Sequence, residues 1–214
     1  MTNIRGHLPT SIYAGLLLIL LASLYAPAQV WAGDLEITPI IGYVFGGGFE
    51  DSANGNRLDL ADTENYGIIL SLRDKSKPGG FYELLYSHQS TYLKGDGTVL
   101  SGDSRLHIDI DTIQIGGTYG TEGENVNPFV AAGVGVTHMS PEQGDAETRF
   151  SFSLGAGVKV PLSENIGLRI EGRGFATVFD GSGSLFCSNG SCEIQAQGDT
   201  MWQFSAFSGV AFSF

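Results

Sequence analysis

From Arg149 to Val160 the chain reads RFSFSLGAGVKV, and its residues sort by parity. Phe150, Phe152, Leu154, Ala156, Val158 and Val160 share one side of an extended strand, while Arg149, Ser151, Ser153, Gly155, Gly157 and Lys159 share the other. One face is oily and the other is polar or minute. A soluble barrel or sandwich would turn the oily face inward, where bulk is needed to fill a core. Here glycine alternates with charge on the opposite face, which suits a narrow interior, so the oily face belongs outside against lipid.

The same alternation recurs over roughly residues 35–46, 64–73, 80–92, 105–119, 128–139, 148–160, 166–179 and 201–214. Ile166, Leu168, Ile170, Ala176 and Val178 oppose Arg169, Glu171, Arg173 and Thr177. Trp202, Phe204, Ala206, Val210, Phe212 and Phe214 oppose Gln203, Ser205, Gly209 and Ser213. Connections after the odd-numbered segments run to about 17, 12, 8 and 21 residues, and those after the even-numbered ones to about 6, 8 and 5, as long outer loops and short periplasmic turns would. The sequence therefore predicts an all-β fold, an eight-stranded antiparallel up-and-down transmembrane β-barrel. The outward aromatics form two belts on that topology. Tyr43, Phe45, Tyr66, Tyr92, Phe150, Phe152, Trp202 and Phe204 lie near the outer rim, and Tyr82, Tyr119, Phe212 and Phe214 near the periplasmic rim. The fourth segment departs from the pattern. Ile108 and Ile110 have the opposite parity to Ile113 and Ile115, which predicts either a β-bulge near Asp111 and Thr112 or an upper half standing in water.

Composition agrees with strands. The 214 residues include 31 Gly, 13 Phe and 8 Tyr, a mixture that interrupts helices and fits a pleated surface. With 23 acidic against 11 basic side chains, a net charge of -12 and no basic patch, nucleic acid is excluded as a partner. The N-terminus carries Arg5, an apolar run from Ala14 to Ala26 and the small-residue ending Val30-Trp31-Ala32. That order predicts a cleaved secretory signal peptide over residues 1–32 and a barrel domain over 33–214, since the run is shorter than the ~20 residues of a spanning helix.

The chain ends Gly209-Val210-Ala211-Phe212-Ser213-Phe214, with an aromatic at the terminus. With Asn127-Pro128-Phe129-Val130-Ala131-Ala132-Gly133-Val134-Gly135 and Ile166-Gly167-Leu168-Arg169-Ile170-Glu171-Gly172-Arg173, it resembles the eight-stranded outer-membrane barrel proteins, a group that includes the OmpA transmembrane domain, OmpX and OmpW. The resemblance implies a location in the outer membrane of a Gram-negative cell. It also implies that Val210, Phe212 and Phe214 form the signal read by the barrel assembly machinery. Further expected partners are outer-membrane lipid or lipopolysaccharide and an extracellular ligand at the loops. The expected state is a monomer without a cofactor.

Five features could carry chemistry. Glu36, Arg73, Glu83, Lys159, Arg169, Glu171 and Arg173 fall on inward faces toward the periplasmic half. In so narrow an interior they predict a salt-bridged plug rather than an ion path. His88 and Ser90 form a His-x-Ser pair on the lipid-facing wall, similar to that of a lipid A deacylase family of barrels. Thr91 stands where that family has Asn, and the sequence offers no evident acid to orient the histidine. His88, His107 and His138 come to the outer rim on neighbouring strands, where they could hold a metal or sense protons, with His107 expected on the opposite face from the other two unless a bulge rotates it. Cys187 and Cys192, in the longest loop of an exported chain, predict a disulfide. The acidic loop residues Glu50, Asp51, Asp59, Asp62, Asp96 and Asp103, with Arg57 among them, read as a solvated rim without calcium-loop spacing. The overall expectation is a non-enzymatic barrel with a closed charged lumen, a lipid A-modifying hydrolase or a narrow channel being the alternatives.

Overall fold

A computed structural model describes residues 34–50, 57–95, 107–123, 125–142, 145–179, 184–188, 191–195 and 200–214, so the expected signal peptide lies outside the described residues. The strands in chain order are β1 (Leu35–Gly46), β2 (Gly48–Glu50), β3 (Arg57–Leu60), β4 (Thr63–Arg73), β5 (Gly80–Gly95), β6 (His107–Gly120), β7 (Asn127–Pro141), β8 (Glu147–Pro161), β9 (Ile166–Val178), β10 (Ser184–Ser188), β11 (Ser191–Gln195) and β12 (Thr200–Ser213). Eight of them, β1, β4, β5, β6, β7, β8, β9 and β12, pair antiparallel in chain order, and β1 closes against β12. Closure leaves no open edge, as a wall in lipid requires.

The oily parity faces outward throughout the lower wall. Ile41, Tyr82, Ile115, Tyr119, Leu154, Ile170 and Phe212 are exposed there, while Thr38, Ser71, Gln114 and Ser153 point into the barrel. Phe152 is half-buried because it packs edge-on against Trp202, ring centroids 6.0 Å apart.

β6 carries no bulge. Its pairing with β7 runs without a slip from Ile108↔Pro141 to Gly120↔Phe129, and its pairing with β5 from Tyr92↔His107 to Gly80↔Tyr119. Ile108 and Ile110 point inward, whereas Ile113 and Ile115 point outward. The polarity of the wall therefore inverts at Asp111, and the strand continues above the membrane as a soluble barrel would. The expected bulge gives way to the second possibility, a water-standing upper half, because an unbroken ladder satisfies every backbone group.

The first outer loop also departs from expectation. β2 and β3 extend the wall beyond β1 and β4, β3 pairs with the upper end of β5, and Gly46 and Gly47 turn the chain with φ of 75° and 97°. Leu60 joins Leu93, Ile108, Ile110, Met139, Phe179 and Met201 in an apolar cluster that fills the upper barrel.

Candidate functional site

The interior is built in layers. At the mouth on the short-turn side, Lys159 Nζ donates to Glu36 Oε1 at 2.7 Å and lies 4.3 Å from the centroid of the Phe81 ring. Arg73 covers the same ring and pairs with Glu122, a residue of the β6–β7 turn that parity does not assign to the lumen. Arg73 thus stands apart from the deeper charges.

Those deeper charges form a four-membered network. Arg169 Nη1 donates to Glu83 Oε1 at 2.6 Å, and its Nε and Nη2 donate to Glu171 Oε2 at 2.8 and 2.6 Å. Arg173 Nε donates to Glu171 Oε1 at 2.6 Å, and Ser71 Oγ donates to Glu83 Oε1 at 3.3 Å. Two guanidinium groups and two carboxylates leave no net charge. The planar guanidinium fork suits this bidentate geometry, which neutralises ions that burial would otherwise penalise heavily. Small residues make the room. A Cβ on Gly155 would meet Glu171 Oε1 at 2.9 Å, and one on Gly157 would meet the Phe129 ring at 2.6 Å. The Arg169 guanidinium lies 4.7 Å from the centroid of that ring.

Above this network uncharged side chains fill most of the lumen, and at its upper end Arg149 pairs with Glu147 and lies over the Phe179 ring. Ile40, Ile69, Leu85 and Phe207 form an apolar cluster. Asn65 donates to Ser87 at 3.0 Å, Gln114 to Ser151 at 3.0 Å and Gln203 to Gln89 at 3.1 Å. Among the described residues the gap between Asn65, Gln89, Thr112 and Gln203 is about 20 Å³, space for roughly one water. These inward apolar and amide side chains were missed as site residues because alternation marks a face without giving its contents.

On the outer wall the structure supplies the acid that sequence reading did not find. Register places Asp111 of β6 opposite His88 of β5, and His88 Nδ1 lies 2.9 Å from Asp111 Oδ1. Tyr86 donates its hydroxyl to the same oxygen at 2.8 Å, and the Tyr66 ring lies 5.0 Å from the imidazole. Ser90 is exposed on the same face two residues further along. Among the described residues no hydrogen bond joins it to His88. Thr91 turns inward and donates to the Ala61 carbonyl at 2.7 Å.

His107 shares the outward face with His88 and His138, contrary to the expected opposite orientation, because β6 runs straight with Ile108 and Ile110 inside. His138 contacts Thr148 at 2.7 Å, and His107 stacks near Tyr92 with centroids 6.1 Å apart. Among the described residues no three His, Cys, Asp or Glu side chains converge as metal ligands would.

Val210, Phe212 and Phe214 are exposed on the outer face of the closing strand and its terminus, and the Phe214 amide donates to the Leu35 carbonyl at 2.9 Å. β10 and β11 pair Cys187 opposite Cys192 in backbone register, while their side chains lie outside the described set. Asp51, Asp96 and Asp103 and the side chains of Glu50 and Arg57 also fall outside it. Asp62 accepts the Gly46 amide at 3.0 Å and so holds the turn between β1 and β2.

Solved structures repeat this architecture at low sequence identity. The chain is similar to neisserial surface protein A, at 13% identity over 84% of this chain and 97% of that one, with a TM-score of 0.57. It is also similar to the outer membrane protein OprG from Pseudomonas aeruginosa, at 11% identity over 86% and 96% of the two chains, with a TM-score of 0.54. The outer membrane protein AlkL, solved in lipid bilayers, aligns at 13% identity over 99% and 97%, with a TM-score of 0.51. No curated protein matches the chain in sequence. Residues 14–208 match the model of the outer membrane protein beta-barrel domain, and the chain therefore belongs to that family of outer-membrane β-barrels.

Proposed function

We propose that this outer-membrane barrel is a non-enzymatic scaffold whose lumen is a structural plug and whose outer loops bind an extracellular ligand, the protein reaching a Gram-negative outer membrane through a cleaved leader. The observation that carries this reading is Arg169, 0% exposed and bound across the lumen to Glu83 and Glu171. An ion crossing would have to displace a neutral, fully hydrogen-bonded network. Planar-bilayer recording from pure protein tests this: sustained ohmic conductance would establish a channel, and its absence is the expected result.

The pairing of His88 with Asp111 favours one second reading, a hydrolase acting on lipid at the outer wall. An acid on Nδ1 leaves Nε2 as the nitrogen able to take a proton from a hydroxyl, and Ser90 supplies a hydroxyl on the same face. Mass spectrometry of lipid A from cells overproducing the protein, compared with the His88→Ala, Ser90→Ala double variant, separates the readings. Loss of an acyl chain in the first sample alone would identify the hydrolase.

A further inference from the structure

The lipid-facing wall carries a groove that neither the lumen nor the outer loops use. It lies on β5 and β6 at the periplasmic end, with a volume of about 710 Å³, and is bounded by Tyr82, Gly117, Tyr119 and the turn residues Asp74, Ser76, Lys77 and Pro78. Its origin is local. Register sets Gly117 opposite Tyr82 and Gly80 opposite Tyr119, so the two positions beside the tyrosines have no side chain. A Cβ on Gly117 would stand 2.6 Å from the Phe81 carbonyl oxygen, so the close strand approach keeps the floor bare. Both rings project outward, Tyr82 60% and Tyr119 61% exposed, and wall a slot on a surface otherwise made of Leu84 and Ile115.

Position and charge decide the occupant. The slot opens among apolar residues of the membrane band, so whatever fills it must itself partition into a bilayer. Its periplasmic end meets the turn, where Lys77 is exposed at headgroup level. The carboxylate of Asp74, which also lines the groove, is taken up within the turn, accepting the Ser76 amide at 2.9 Å and the Ser76 hydroxyl at 2.5 Å, so Lys77 is the charged group left to meet a headgroup. An acyl chain matches the apolar slot, and an anionic phosphate matches the ammonium group. We propose that this groove seats one phospholipid of the periplasmic leaflet, with an acyl chain lying between Tyr82 and Tyr119 over Gly117 and the anionic headgroup at Lys77.

Native mass spectrometry of the full chain, released from detergent containing equal amounts of phosphatidylglycerol and phosphatidylethanolamine, tests the proposal. The expected result is retention of one phosphatidylglycerol in preference to phosphatidylethanolamine. Tyr119→Ala should weaken that retention roughly tenfold by removing one wall. Lys77→Ala, on an exposed turn where folding is not at stake, should abolish the preference between headgroups. Ile170→Ala, on the far side of the barrel, should behave as the unaltered protein. Indiscriminate adducts in the unaltered protein, equal retention by Tyr119→Ala, or a headgroup preference that survives Lys77→Ala would each overturn the assignment.

Discussion

Arg169 of β9 and Glu83 of β5 meet across the lumen through two hydrogen bonds of 2.6 and 3.2 Å, although 86 residues separate them in the chain. Removing either partner alone leaves an uncompensated charge, while removing both leaves the neutral pair Arg173 and Glu171. Arg169→Met or Glu83→Leu should therefore cost about 3–5 kcal/mol, and the double variant markedly less than the sum of the two. Urea titration followed by the heat-dependent gel shift measures this. A strictly additive double variant would mean that the two groups do not act as a pair.

The inversion at Asp111 places the water boundary on a single strand. With Cys187 and Cys192 replaced by Ser, Asp109→Cys should react with a membrane-impermeant maleimide applied to intact cells, and Ile115→Cys should not. Equal labelling of both positions would remove the two-zone description of the wall.

Phe214 stands exposed at the end of the closing strand's outer face, where the assembly machinery is expected to read it. Its deletion should sharply reduce the membrane-inserted, heat-modifiable form in cells. Undiminished insertion would show that Val210 and Phe212 suffice.

Register sets Cys187 directly opposite Cys192, and opposed antiparallel residues have Cα atoms about 4.5–5.5 Å apart, within the span of a disulfide. Mass analysis without reductant should find these thiols joined. The bridge closes a short segment, so reduction should leave the barrel's gel migration unchanged while making residues 180–199 more sensitive to external protease. Free thiols, or unfolding of the barrel on reduction, would refute the assignment.

What the sequence disclosed was whatever alternation records. Ser151 and Phe152, or Arg169 and Ile170, declare their faces by parity alone, so the barrel and its inward charges were legible. Asp111 was not legible as the partner of His88. The two lie on strands joined by a long outer loop, where no tight turn fixes register, and a one-residue shift would have set a different residue opposite the histidine. The parity change in β6 had two physical solutions, and only the unbroken ladders on both sides decided between them. The upper apolar cluster was hidden for a related reason: Leu60 lies in a connection that reads as a loop and Phe179 at the last position of its segment, with nothing nearby to indicate that they pack over Ile108 and Met139.

The straight course of β6 also fixes how deep the molecule sits. A barrel that is oily outside along its whole length could slide vertically or tilt with little penalty. This one cannot sink by a single pleat without drawing Asp111, with its His88 and Tyr86 partners, into hydrocarbon, and it cannot rise by one without lifting Ile113 into water. These two neighbouring positions of one strand act as opposing stops, so loops carried on the upper wall are presented at a constant height above the membrane surface.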